Sequence, residues 1–243
     1  MCIRDRNAPQ AAGVRGGAIG QGAVLEFRRF KDEIALFKKN TNFSNETDNN
    51  IGKADLTNIM EAFLDSFEVV VEEGESIVIS VSDLFLSETL TSVSPNLPRE
   101  YRDFVDLDLG RLDDDKTFIN QVRNYPKNTA VEVTFGFSNP KPNQRNAVYA
   151  VADARFTSIV ARHLFVEMPD DQFNTRVADQ RVGYFSQRVT DLSTYDNYPQ
   201  RDLINKWRLI KKNPDLELSE PVKPITWWIE NSTPHEWRET IRN

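Results

Sequence analysis

Short runs of alternating apolar and polar residues recur along this chain and predict strands that are joined by tight turns. Residues 24–30 and 33–38 flank one such turn and predict a hairpin. Residues 67–71 and 77–81 flank an acidic turn and predict a second hairpin. The most regular alternation, over residues 131–137, predicts a strand with one buried face.

Helical patterns are fewer and shorter. The strongest has helical spacing of its apolar positions, which are Leu56, Ile59, Met60, Phe63, Leu64 and Phe67. Short helices are also predicted over residues 84–90 and 118–123, and Thr233-Pro234 with Glu236 forms a helix opening near the end. Because helices and strands mix without strict alternation, the predicted fold class is α+β, β-rich with antiparallel hairpins and a few short helices.

The C-terminal half is predicted to be mostly extended. Residues 147–167 form a long β-rich run that contains His163, and residues 201–212 are predicted to pair as a strand. Three prolines between positions 214 and 224 mark a linker, and residues 225–229 then predict an apolar strand. A single histidine in an apolar strand is more often a core group than a ligand, so we interpret His163 as a core or interface residue.

Composition and charge narrow the function classes. The 243 residues include 30 Lys and Arg against 37 Asp and Glu, and the formal net charge of -7 disfavours binding to nucleic acid. No apolar run reaches the roughly 18 residues of a membrane helix. One cysteine, Cys2, and two histidines, His163 and His235, leave little material for a zinc site. Residues 113–115 are an acidic triplet without the spacing of a calcium loop, and we interpret them as a solvated turn.

The first 22 residues are predicted to be a lead-in outside the folded domain. Residues 1–6 resemble the spurious start of proteins translated from metagenomic assemblies, and no signal peptide is visible. Five of the ten glycines lie in residues 13–22, where they predict a flexible segment rather than a phosphate-binding loop. We therefore expect the chain to be a fragment, cut at both ends.

Three segments in the C-terminal third resemble a known family. They are residues 176–185 (RVADQRVGYF), residues 204–212 (INKWRLIKK) and residues 220–238 (EPVKPITWWIENSTPHEWR). In this order and spacing they look like the large bacterial zinc-dependent metalloproteases that carry a long domain of unknown function ahead of a metzincin-like catalytic domain. The resemblance runs from about residue 20 to the end of the chain.

The resemblance implies a division into domains. Residues 23–213 would be the accessory domain of unknown function, and residues 214–243 the linker and the truncated start of the catalytic domain. The catalytic signature H-E-x-x-H-x-x-G-x-x-H is missing here, because Glu239 stands where the second histidine would follow His235. No catalytic or metal-binding residue can be assigned, and this fragment is expected to be inactive and free of cofactor. The full-length parent is expected to be an exported zinc-dependent hydrolase of protein or peptide substrates.

The family-like segments supply the candidate site residues, interpreted as a structural motif: Arg176, Asp179, Arg181, Gly183, Tyr184, Phe185, Trp207, Arg208, Trp237 and Arg238. We expect Asp179 and Arg181 to pair and brace a turn at Gly183, with Tyr184 and Phe185 buried. The alternative is that this loop contacts the catalytic domain or lines its cleft.

Two function classes stay open. In the first, the chain is a non-catalytic part of a zinc metalloprotease and its main partner is its own downstream catalytic domain. In the second, it is a stand-alone β-rich module that binds a peptide, a glycan or a partner protein.

Overall fold

The computed structural model describes most of the chain after residue 21. The described residues are 2–5 and 18–19, both as backbone alone, and 22–44, 59–74, 76–90, 92–93, 109–142, 152–169, 173–194, 196–229 and 231–242.

Strands dominate the described residues, which confirms the β-rich α+β class. In chain order they are β1 (Cys2–Asp5), β2 (Ala18–Ile19), β3 (Leu25–Phe30), β4 (Glu33–Lys38), β5 (Phe43–Ser44), β6 (Ala62–Glu73), β7 (Ser76–Ile79), β8 (Arg111–Leu112), β9 (Phe118–Tyr125), β10 (Asn128–Ser138), β11 (Phe156–Val166), β12 (Ser186–Asp191) and β13 (Gln200–Ile204). Two α-helices accompany them, α1 (Ser82–Leu86) and α2 (His235–Arg242), with a 3-10 turn at Asp114–Lys116.

The largest sheet is built around the long antiparallel pair of β10 and β11. Its strand order is β2-β1-β11-β10-β8, and β9 also pairs with β10. The predicted alternation over residues 131–137 is confirmed, because Val131, Val133, Phe135 and Phe137 are all buried on one face of β10. β11 contributes Ile159, Ala161 and His163 to that face.

Two smaller sheets complete the fold. The first has the order β3-β4-β6-β7, and it confirms the hairpin predicted at residues 24–38. Lys31 takes a φ of 56° in its turn, where residues other than glycine are uncommon. The second predicted hairpin is present as β6 and β7. The third sheet has the order β13-β12-β5, and its β12–β5 pair is parallel.

Helix α1 connects the core of the four-stranded sheet with the core of the large sheet. Leu84 is buried against Leu36 and Phe67 of the four-stranded sheet, whereas Phe85 is buried in the cluster of the large sheet. Since neighbouring residues of a short helix point in different directions, α1 can fill both clusters at once. The predicted helix at residues 84–90 is therefore present but begins earlier and ends at Leu86.

Two predicted helices are strands in the structure. The prediction of a helix from Leu56 to Phe67 is wrong where the structure describes these residues, because β6 begins at Ala62; residues 51–58 lie outside the described residues. The helix predicted at residues 118–123 is also wrong, because this segment is β9. Tertiary pairing with β4 and β10 decides both conformations.

The C-terminal third contains less strand than predicted. The strand expected over residues 201–212 ends at Ile204, and Lys211 then makes only an isolated bridge with Pro221. Residues 225–229 form no strand, because no described segment pairs with them. The helix predicted after Thr233 is confirmed as α2.

The N-terminal lead-in differs from the expectation at two short places. β1 pairs antiparallel with β11, from Cys2 opposite Leu164 to Asp5 opposite Ala161, and β2 pairs with β1. The long strand β11 has backbone hydrogen-bonding groups along both edges. One edge pairs with β10, and the extended segment β1 pairs with the other edge.

Candidate functional site

The predicted pairing of Asp179 with Arg181 is present in the structure. Arg181 Nε donates to Asp179 Oδ1 at 3.0 Å, Nη2 donates to Oδ2 at 2.6 Å, and the Arg181 backbone N–H donates to Oδ1 at 3.0 Å. This fork to Arg181 holds the pKa of Asp179 at about 2. The Arg181 side chain is 87% exposed, so solvent screens the pair and its contribution to stability is small.

The residues after this turn are not buried, which corrects the expectation. Tyr184 is half-exposed and Phe185 is 90% exposed. Gly183 has open space around its Cα and an ordinary φ, so the turn does not require a glycine there. The Asp179–Arg181 pair therefore shapes an exposed loop, and the apolar side chains that follow it lie at the surface.

Backbone hydrogen bonds attach this loop to the edge of β13. The Ile204 N–H donates to the Arg176 carbonyl at 2.9 Å, and the Ala178 N–H donates to the Asp202 carbonyl at 2.7 Å. The Asn205 N–H donates to the Phe185 carbonyl at 2.8 Å. The first two family-like segments, which are distant in sequence, are thus neighbours in the structure.

The third family-like segment folds back on the second. The Val222 N–H donates to the Ile210 carbonyl and the Lys212 N–H to the Glu220 carbonyl, each at 2.8 Å. The rings of Trp207 and Trp227 meet edge-on with their centroids 6.3 Å apart.

Arg238 fixes the start of α2, the helix that carries Trp237. Its guanidinium donates to the carbonyls of Thr233 and Asn231 at 2.9 and 2.6 Å. Arg208, in the second family-like segment, is half-buried.

These segments present a group of exposed aromatic side chains, which we call the C-terminal aromatic surface. Its members are between 57% and 91% exposed: Phe185, Trp207, Trp227, Trp228 and Trp237. All four tryptophans of the chain belong to it. Trp207 and Trp227 are in ring contact, and large apolar rings that are left exposed are typical of surfaces that another protein or domain covers.

The structure confirms His163 as a core residue. Its side chain is 1% exposed, and neither ring nitrogen has a hydrogen-bond partner among the residues that the structure describes. Burial lowers its pKa to about 4, so the imidazole is neutral at pH 7. His235 lies on exposed α2, far along the chain from His163.

No group of three or more His, Cys, Asp and Glu residues within the described ranges is arranged to hold a metal ion. The acidic triplet is a turn, as predicted: Asp113 pairs with Lys116 and accepts from the Ser138 hydroxyl, which lowers its pKa. Among the described residues, no helix has the length and apolar character needed to cross a membrane.

Two adjoining cavities lie where the four-stranded sheet meets the large sheet, and the sequence analysis predicted neither of them. The first, the junction cavity, has a volume of 380 Å3 and is bounded by α1, Phe27, Phe165 and the β9 residues Ile119 and Val122. The second has a volume of 860 Å3 and shares Phe27 and Phe165 with the first. Segments far apart in sequence form both, so no local motif could have indicated them.

Comparison with known proteins agrees with a domain that spans most of the chain. The chain belongs to the DUF5117 family, described as a domain of unknown function, whose family model matches residues 16–212. No curated protein matches the chain significantly. The same is true of the solved structures.

Proposed function

We propose that this chain is the non-catalytic accessory portion of an exported, zinc-dependent metalloprotease, and that its C-terminal aromatic surface contacts the catalytic domain. The proposal combines the family-like order of residues 176–185, 204–212 and 220–238 with their exposure in the fold. In this proposal the zinc and the proteolysis of protein or peptide substrates belong to the full-length parent.

The observation that carries the proposal is the C-terminal aromatic surface itself. Trp227 and Trp228 are almost fully exposed, and every described residue after Ile204 is exposed or half-buried. Large apolar rings in water are unfavourable by about 25 cal/mol per Å2 of apolar area, so a domain that buries them is stabilised on this surface.

The first test is to read the complete open reading frame. We expect an H-E-x-x-H-x-x-G-x-x-H motif within about 200 residues downstream of the codon for Asn243. The parent protein should cleave casein, and both chelation of zinc and replacement of the motif glutamate by glutamine should abolish that cleavage. A reading frame without the motif would refute the proposal.

The second test measures whether the aromatic surface becomes covered. In a Cys2→Ser background, Trp228→Cys should react with a maleimide at least about tenfold more slowly in the parent than in this chain, since burial blocks access. Leu218→Cys is the matched control, because Leu218 is 89% exposed but lies outside the aromatic surface. Equal labelling of Trp228→Cys in both proteins would show that the catalytic domain does not contact this surface.

The alternative is a stand-alone module that binds a peptide, a glycan or a partner protein. The junction cavity favours a binding role, since its lining is largely apolar and it opens to the surface. The two candidates differ in the downstream sequence, so the first test separates them.

A further inference from the structure

Strand β9 has an open hydrogen-bonding edge. Seven of its eight residues pair with β10, Asn120 being the exception, and within the described ranges no other backbone group bonds to this strand. The edge of β13, by contrast, is covered by the Arg176 and Ala178 backbone. An open edge of this length presents the N–H and C=O groups to which an extended chain can pair.

The junction cavity lies beside this open edge. Ser82 and Thr129 are the polar members of its otherwise apolar lining, and Ile119 and Val122 of β9 form one wall. A β-bulge near Asn120 shifts the register with β10, which places Ile119 and Val122 on the same face although they are three residues apart. A strand added to β9 would direct alternate side chains over this face, next to the cavity.

Two cations flank the edge near its C-terminal end. Arg123 and Lys127 are exposed, and no carboxylate within the described ranges pairs with either. Two exposed cations at this end of the strand make it locally positive in a chain whose formal net charge is -7, and they attract an acidic side chain.

We propose that β9 binds an extended peptide by strand addition, with one apolar side chain in the junction cavity and an acidic residue near Arg123 and Lys127. The open backbone edge accounts for an extended main chain, the cavity for an apolar side chain, and the cations for acidic character. This activity goes beyond the proposed accessory role and is measured on this chain alone, so it can fail or succeed independently of the metalloprotease assignment.

The test uses three fluorescein-labelled octapeptides in which threonine alternates with valine, leucine or phenylalanine, with glutamate at both ends. At least one should bind the full chain saturably in fluorescence polarisation. Bound peptide should slow amide hydrogen exchange in β9 and leave exchange in β7 unchanged, because β7 is the edge of another sheet.

Backbone methylation distinguishes strand addition from simple apolar binding. A strand uses the N–H groups of alternate residues at a shared edge, so N-methylation of one alternate set should abolish binding and methylation of the other should be tolerated. Replacing the glutamates by lysine should weaken binding, and added salt should reduce that difference.

Matched variants test the position of the site. Val122→Asp places a charge at the cavity and should weaken binding at least about tenfold. Val78→Asp is the control, since Val78 is 50% exposed on β7 and Val122 is 53% exposed on β9. The control should change affinity less than about twofold, and both variants should melt like the parent chain because both sites are half-exposed.

Several results would overturn the proposal. The first is that none of the three peptides binds saturably. The second is that the two N-methylated sets bind equally well. The third is that bound peptide slows amide exchange in β7 and not in β9. A concentration-dependent dimer in analytical ultracentrifugation that Val122→Asp abolishes would identify a second copy of this chain as the occupant and would also overturn it.

Discussion

The imidazole of His163 packs edge-on against the ring of Phe85, with the ring centroids 5.6 Å apart and the planes at 70°. Phe135 lies at 6.0 Å in a second edge-on contact. Within the described part of the chain, both imidazole nitrogens are without a hydrogen bond. His163 therefore behaves as a flat apolar side chain that carries two unsatisfied polar atoms, which is costly in a core.

This environment predicts a loss of stability in mildly acidic solution. The pKa of His163 is about 4 in the folded state, against 6.5 for an unperturbed histidine, because burial disfavours the charged ring. Between these two values the unfolded chain binds more protons, so the free energy of unfolding falls as the pH drops from 6.5 towards 4. The loss should reach about 3 kcal/mol at about 1.4 kcal/mol per pKa unit.

Urea unfolding at several pH values checks this effect. His163→Leu should remove the slope between pH 6.5 and 4 and should equal or exceed the parent in stability at pH 7, since it deletes unsatisfied polar atoms. His235→Ala is the control, because it removes the other histidine of the chain at an exposed position and leaves the buried His163 in place. Carboxylates whose pKa is lowered in the folded state, such as Glu26 at about 2, reduce the stability only as the pH falls further, from about 4.5 towards 2. A slope that persists in His163→Leu would contradict the assignment.

Gly136 is required by a close backbone crossing. A Cβ at this position would lie 2.6 Å from the Lys116 carbonyl oxygen, where the 3-10 turn passes over β10. Gly136→Ala should lower the free energy of unfolding by about 2–4 kcal/mol, because the turn must shift. Gly183→Ala provides the control and should be near neutral, since Gly183 has open space and no left-handed φ. Equal melting temperatures for the two variants would disprove the crowding at Gly136.

The two helix predictions that proved wrong share one physical cause. In β6, a bulge opposite Leu36 and Phe37 places Leu64 and Phe67 in the same core cluster, although they are three residues apart. The bulge in β9 does the same for Ile119 and Val122. A spacing of three is a helical signal, and one extra residue in a strand imitates it. The regular hairpin β3–β4 has unbroken pairing, and the sequence predicted it correctly.

The sequence alone was sufficient to predict the local contacts of the candidate site. It was not sufficient to predict which of the site's side chains are exposed. The Asp179–Arg181 pair is formed by two residues two positions apart, a relationship that sequence alone specifies. The exposure of Phe185 depends on which other segment covers it, and the junction cavity depends on five segments of the chain: β3, α1, β9, β10 and β11. Such arrangements are properties of the tertiary fold, and no local pattern specifies them.

The exposed Asp179–Arg181 pair yields a prediction that separates stability from contact. Asp179→Ala should change the melting temperature by less than about 1 °C at pH 7, because solvent screens the pair. If the loop contacts the catalytic domain, the same variant should weaken that association in the parent protein. The comparison is a thermal melt of this chain beside a binding measurement between separated domains. A fall of several degrees in the melt would show that the pair braces the fold, as first expected.

The last prediction concerns the boundary of the folded domain. The last buried residue among those described is Ile204. The described residues after Lys212 contact the rest of the chain through the Lys211–Pro221 bridge with its flanking backbone hydrogen bonds, through Lys211 Nζ, which donates to the carbonyls of Leu216 and Glu217, and through the Trp207–Trp227 contact. These few contacts bury little apolar area, so they contribute little to the folding free energy. The match to the DUF5117 family also ends at residue 212. A chain truncated after Lys212 should therefore melt within about 2 °C of the full chain.

Limited proteolysis and hydrogen exchange complete this test. Proteases should cut first in the exposed loop at residues 213–218 and leave a stable core, because nothing buried holds that loop. Amides at residues 227–229 should exchange faster than those of β10, since they form no ladder. Truncation after Pro199 is the control: it removes β13 with buried Ile204 and should lower the melting temperature clearly. If truncation after Lys212 destabilised the chain as much as truncation after Pro199, residues 213–242 would belong to the domain, and their aromatic surface would be part of its packing rather than a contact for another domain.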